Sequence, residues 1–339
     1  MKHRILFILV LLACTGFCPA SSGGDLITIL KEGGEPARRM REKAITYQKD
    51  GRKNVMVLYQ AQADLVKAHG WILEEIYRES YAPGGDEPLV LPMNCLKTRK
   101  KGPALWILSG IHGEEPAGPN AIAENVRTIA ALGDKGIPVV LMPLLNPLGY
   151  CRNWRYPDAE KYSDENPGRS VGDSDHLLLD EKGKPRRSGP LSPQCAALTA
   201  KVLELARDYP PVLTMDYHED NELEKGYLYS QGKKGADDPV AREIVRIFQV
   251  NHFPLKMKDE TRFGEVIREG IIADVKDGSI DELLGAGRIF LKGASAPGPS
   301  AKSVIVLETS SMNTPLEARK KVHATVLKAS ERLWRIAVK

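Results

Sequence analysis

Short apolar runs alternate with longer stretches of helical periodicity along most of this chain. Residues 88–96 (PLVLPMNCL), 104–108, 138–145, 212–217 and 303–307 are rich in Val, Ile and Leu and short enough to be strands. Apolar residues three and four apart recur at 120–131, 192–208 and 238–248, and a last such stretch covers 314–336. The alternation predicts an α/β fold, a mixed, twisted β-sheet with helices on both faces. Residues 88–96 read as its first full strand. Ahead of them, 36–48 reads as a short helix, 55–77 as a small sheet-flanking element of strand and helix character, and 80–87 (SYAPGGDE) as a loop. Residues 21–80 are therefore expected as an N-terminal extension packed on a main domain at 81–339. Two stretches, 156–193 and 251–300, lack regular patterning, and long connections of that kind usually shape a site.

The candidate chemistry lies where the strand-like runs end. WILSG delivers His112 into a loop, Glu115 follows at a spacing that lets imidazole and carboxylate turn towards one ion, and Pro116 with Gly118 suits a tight loop opening a helix. His218 sits just past the run 212–217, in the equivalent position on its own strand, with Asp216 and Glu219 as nearby carboxylates, either of which could orient an imidazole. Glu308 closes the buried-type run SVIVL. A carboxylate leaving an apolar strand is costly unless it has a partner or a task, and proton transfer in hydrolysis is such a task. Two His and a Glu leave one coordination position open on a catalytic zinc, although Co2+ or Mn2+ would suit the same ligand types.

These residues resemble the zinc carboxypeptidase family and, more distantly, its succinylglutamate desuccinylase/aspartoacylase relatives. HGEE is similar to the HxxE zinc pair and LLNPLGY (144–150) to the NPxGY motif. GPLSPQCAAL (189–198) is similar to the segment opening the helix before the third ligand. MDYHED resembles the strand ending in that ligand, and VIVLETSS the strand bearing the catalytic Glu. The resemblance runs from about residue 105 to Glu308 in the family's order. It implies a zinc carboxypeptidase-like fold, one Zn2+ held by His112, Glu115 and His218, and Glu308 as general base and acid. The pattern departs from the family in two places. Where an Asn-Arg pair usually grips the substrate's terminal carboxylate, residues 169–178 read RSVGDSDHLL, with acidic Asp173 and Asp175. Arg152 and Arg155 in CRNWRYP are the expected substitutes, since a guanidinium forks onto a carboxylate and polarises a carbonyl, and His176 is expected to face substrate. The Tyr often found near the scissile bond has no counterpart between Tyr229 and Glu308.

Composition agrees with an ordinary enzyme of 339 residues, 42% of them hydrophobic. A net charge of +4 from 48 basic and 44 acidic residues, without a basic run interleaved with aromatics, argues against nucleic acid. Lys2, His3 and Arg4 ahead of the apolar run at 5–13 read as an export leader occupying 1–20, too short for a permanent transmembrane helix. Cleavage after Ala20 would release a periplasmic or secreted protein, whereas LLAC would lipidate Cys14 and anchor it. In the released form Cys95, Cys151 and Cys195 allow at most one disulfide. The leading expectation is an exported metallocarboxypeptidase acting on the end of a peptide, a cell-wall peptide being a reasonable substrate. The alternatives are an N-acyl amino acid deacylase of the desuccinylase type and a binding protein that keeps the zinc fold without turnover.

Overall fold

The computed structural model describes residues 26–81, 88–157, 176–187, 189–190 and 192–339. Its N-terminal part holds α1 (Leu26–Glu32), α2 (Gly34–Lys43) and α3 (Val55–His69), followed by β1 (Ile72–Tyr81), β2 (Leu89–Lys97) and β3 (Ala104–Ser109). Next come α4 (Ala117–Glu124), α5 (Val126–Asp134), β4 (Val139–Met142), α6 (Pro147–Arg152), α7 (Pro193–Asp208), β5 (Pro211–Asp220) and β6 (Tyr227–Ser230). The remainder comprises α8 (Pro239–Val250), β7 (Lys258–Glu260), β8 (Val266–Arg268), β9 (Ile271–Ala273), α9 (Ile280–Gly285), β10 (Arg288–Leu291), β11 (Ala294–Pro297), β12 (Ser303–Ser310), α10 (Leu316–Lys328) and α11 (Ser330–Val338). No helix among the described residues is long and apolar enough to cross a membrane.

Ten strands form one mixed sheet in the order β1-β2-β4-β3-β5-β12-β6-β9-β8-β7. The centre, β4-β3-β5-β12, is parallel, and antiparallel strands flank it on both sides. Because side chains alternate across a strand, Leu105 and Ile107 face a core completed by α4, α5, α8, α10 and α11, while Trp106 and Leu108 face one completed by α7 and α9. A third cluster packs α1, α2 and α3 against Leu89, Leu91 and Tyr150.

The mixed α/β sheet with helices on both faces is as expected, and its central strands fall at the predicted runs. The sheet starts earlier than predicted, however. Ile72–Tyr81 is its edge strand, paired antiparallel with β2, so residues 88–96 form the second strand and the sheet reaches back across the boundary drawn at residue 80. Residues 55–69 are wholly helical, capped by Asn54, whose side chain accepts from Met56 N, and stopped by Gly70 in the left-handed region. The helix expected over 120–131 is two, broken at Asn125, whose Nδ2 donates to Ala121 O and competes with the backbone ladder. The stretch 251–300 holds short hairpins and α9, too short to show a period in sequence. Cys95, Cys151 and Cys195 are buried, and no disulfide joins any two of them.

α4 lies close over β5 because Gly118 has no side chain: a Cβ there would stand 2.3 Å from Ser109 Oγ and 2.8 Å from Tyr217 O. Gly118→Ala should therefore destabilise the fold by about 1–3 kcal/mol through overpacking, outweighing a helix-propensity gain of at most about 1 kcal/mol. Urea unfolding of the variant against wild type checks this, and an unchanged or raised midpoint would refute it.

Candidate metal centre

The site forms at the carboxyl ends of β3, β5 and β12, where the chain order reverses from one side of β3 to the other. Beyond Ser109, Gly110 turns the chain at φ +68° and the loop carries His112 and Glu115 back over the sheet edge. The strands bearing the other two residues run on past the site, with Glu308 paired in register with His218 and Ser310 with Asp220. His218 thus lies within β5, where the sequence placed it just beyond.

Glu115 occupies the middle of the cluster. His112 Nδ1 is 2.7 Å from its Oε1 and His218 Nδ1 is 2.9 Å from its Oε2. The two rings stand 4.9 Å apart at 73°, and one donor atom from each of the three buried residues lies within 4.8 Å of the others. Burial opposes ionisation of Glu115, but the His112 and His218 charges overcome it and hold the carboxyl well below its usual range. Burial likewise opposes charge on His218, and Asp216 and Glu115 raise it well above the ordinary imidazole value. Two imidazole nitrogens and a carboxylate within 4.8 Å of one another have the chemistry and spacing of a divalent-metal site.

Strand alternation decides which acidic neighbour supports the imidazole. Asp216, two residues before His218, shares its face, and its Oδ2 lies 3.3 Å from His218 Nε2, the nitrogen turned away from Glu115. Glu219 is on the opposite face. It accepts from Ala117 N at 2.7 Å, at the start of α4, and pairs with the buried Arg319. Its backbone N–H donates to Glu115 Oε2 at 3.1 Å, which helps fix that carboxylate. Asp281, at the start of α9, brings a second buried carboxylate near Asp216 and His218.

Glu308 lines both compartments of the cleft, one of about 810 Å3 and one of about 570 Å3. Burial pushes its carboxyl up to about 8, with Glu115 and Asp220 reinforcing burial and the two imidazoles opposing it. Arg155 also lines both compartments, with Nη1 3.1 Å from Glu114 Oε1 and 3.2 Å from Glu115 Oε1. Arg152 does not line the cleft; its guanidinium stacks 4.6 Å from the Trp154 ring. His176 is fully buried with Nδ1 2.6 Å from Thr199 Oγ1 on α7, and it lines neither compartment. Asp173, Asp175 and the rest of residues 169–175 lie outside the described residues, as does the leader expected at 1–20.

Sequence reasoning assigned no role to several groups that line the cleft. Tyr229 on β6 stands in both compartments, its OH donating to Glu265 Oε2 at 2.9 Å. The alternation in YLYS, soon after His218, was the available signal for that strand. Arg262 and Phe263, at the tip of the β7–β8 hairpin, also line both compartments, and Arg262 pairs with Glu222 across the mouth.

No family model and no curated relative matches the chain. Its fold is similar to that of a provisionally assigned metallopeptidase of Shewanella amazonensis, at 19% identity over 82% of this chain and 90% of that one, with a TM-score of 0.60. It is also similar to carboxypeptidase A of Helicoverpa armigera, at 13% identity over 91% and 81% with a TM-score of 0.53. Bovine thrombin-activatable fibrinolysis inhibitor matches at 14% identity over 84% and 98% with a TM-score of 0.52. The fold is thus zinc carboxypeptidase-like.

Behind the site, His323 is fully buried, 3.1 Å from Thr309 Oγ1 and edge-on to Tyr217. Burial, helped by Arg319, lowers its pKa to about 3, so the folded protein keeps it neutral while the unfolded chain takes up a proton near pH 6.5. Its contribution to stability is intact above about pH 6.5 and falls as pH drops from there towards 3, by up to about 1.4 kcal/mol per pH unit. Denaturant titrations from pH 7 to 4 should show His323→Gln with the shallower loss. Parallel curves for the two proteins would refute this.

Proposed function

We propose that this chain is a zinc-dependent hydrolase that cleaves an amide bond at the end of a peptide. The observation that carries the reading is the convergence of His112, Glu115 and His218 with Glu308 beside His218 on the same face of the sheet. Those three residues would hold the ion, which supplies Lewis acidity to polarise the scissile carbonyl and lower the pKa of water.

The chain's own groups supply the remainder. Asp216 Oδ2, 3.3 Å from His218 Nε2, pairs with the imidazole and keeps Nδ1 turned to the ligand position. Glu308, half-buried in the wall of the cleft, would take a proton from the attacking water and pass it to the leaving nitrogen. Arg155 stands at the junction of the compartments, where its guanidinium can stabilise charge developing on the carbonyl oxygen. For a terminal carboxylate, Arg268 is the best-placed cation in the larger compartment. Arg155, Arg262 and Lys276 are each ion-paired, and Arg268 makes no ion pair among the described residues. The leader at residues 1–20 supports an exported enzyme, for which a cell-wall peptide is the reasonable substrate.

Two variants separate binding from chemistry. Wild-type protein purified without added metal should carry about one zinc per chain, and His218→Ala should lose it. Glu308→Gln should keep the metal and lower kcat on a panel of short peptides by about 100-fold to 10,000-fold. A well-folded wild type that takes up no metal overturns the mechanism, and an active Glu308→Gln removes Glu308 from the proton-transfer role.

A further inference from the structure

The loop that carries His112 and Glu115 is gripped by a residue from far upstream. Arg52, between α2 and α3, has a fully buried side chain. Its Nη1 donates to Gly113 O at 2.8 Å and to Tyr150 O at 2.7 Å, its Nε donates to Asp50 Oδ2 at 2.9 Å, and its Nη2 serves Asp50 and Asn153 Oδ1. All five N–H groups of the guanidinium are thereby used, which is what burying such a charge requires. The rings of Tyr47 and Tyr150 lie 5.1 and 4.9 Å from its central carbon.

Gly113 is the residue immediately after His112 and two before Glu115. Its backbone N–H is bound as well, to Arg155 O at 3.2 Å, and a Cβ there would lie 2.1 Å from Gly149 C and 2.4 Å from Tyr150 N. The loop is pressed onto α6 so tightly that only glycine fits, and among the described residues the side chain bonded to its Gly113 carbonyl is Arg52. Adjacent contacts run the same way. Lys53 N donates to Asn120 Oδ1 at 2.8 Å, and Tyr150 OH donates to Lys53 O at 2.9 Å.

We propose that Arg52 is a positioning residue for the metal ligands, its guanidinium fork locking the His112–Glu115 loop to α6 so that both donors are preorganised. This rests on the metal reading above. On that account the segment 50–53 supports the ligand loop from behind, outside the lining of the cleft. A lysine at 52 could reach one carbonyl but could not fork between Gly113 O and Tyr150 O while still serving Asp50 and Asn153.

The test uses the full mature chain as wild type, Arg52→Lys and the milder Asp50→Asn, which leaves the fork but removes its anchor. Zinc affinity is read by competition with a chromophoric chelator, Co2+ loading by its visible absorption spectrum, and folding by circular dichroism and melting of the metal-free proteins. Arg52→Lys should fold and bind zinc about 10- to 100-fold more weakly with an altered Co2+ spectrum, and Asp50→Asn should shift both in the same direction by less. Wild-type zinc affinity and an unchanged Co2+ spectrum in folded Arg52→Lys would overturn the role while leaving the metal reading standing. If Arg52→Lys does not fold, an unchanged Asp50→Asn overturns it instead. A wild type that binds no metal overturns both.

Discussion

The register between β3, β5 and β12 is the constraint on which the site depends. Ser109 lies opposite Tyr217, and Glu308 opposite His218, in strands whose inner residues are almost fully buried. Side chains alternate with a period of two, so a slip of one residue would carry His218 and Asp216 to the α10 face and present Tyr217 and Glu219 to the cleft. The slip is resisted by the apolar residues between them. Leu213, Met215, Ile305 and Leu307 fill one core, and moving them would expose or overpack several large side chains at once. The geometry of the site is therefore a by-product of the core's own fit.

That geometry buries charge, which is tolerated only where it is matched. Glu115 lies between two imidazoles, Asp216 against His218, and Glu219 between Arg319 and the first turn of α4. Leaving any one of these uncompensated would cost several kcal/mol, more than most surface pairs return. The pairs are also directional. Glu219 fixes both the start of α4 and, through its own N–H, one oxygen of Glu115. Arg52 works from the other side of the same loop, on a carbonyl in place of a carboxylate. The loop is held between two buried guanidinium systems that belong to segments distant in sequence.

What could be read from the chain alone follows the range of the interactions that made it. His112, His218 and Glu308 were legible because each stands at or just past the end of a short apolar run, and Glu115 because it follows His112 at ligand spacing; both are local patterns. Asp216 and Glu219 were both visible, yet choosing between them needed only the alternation along β5, which is also local and was not applied. Arg152 and Arg155 stand three residues apart in one turn, and nothing in that turn says that one stacks on Trp154 and the other reaches Glu114; the direction comes from Asn153 in the left-handed region and from contacts elsewhere.

The opaque parts of the chain are those held by distant partners. Ile72–Tyr81 has four charged side chains, three of them carboxylates, among its ten residues and reads poorly as a strand; pairing with β2 along its length makes it one. The hairpins between 258 and 297 use strands of three or four residues, below the length at which a period exists. Arg52 is the extreme case. In sequence it is one basic residue in KDGRKN, indistinguishable from its solvated neighbours, and only the fold supplies the two carbonyls that give it a place. A residue's own type announces chemistry when the chemistry is done by that side chain; support given to another residue's backbone leaves no such mark.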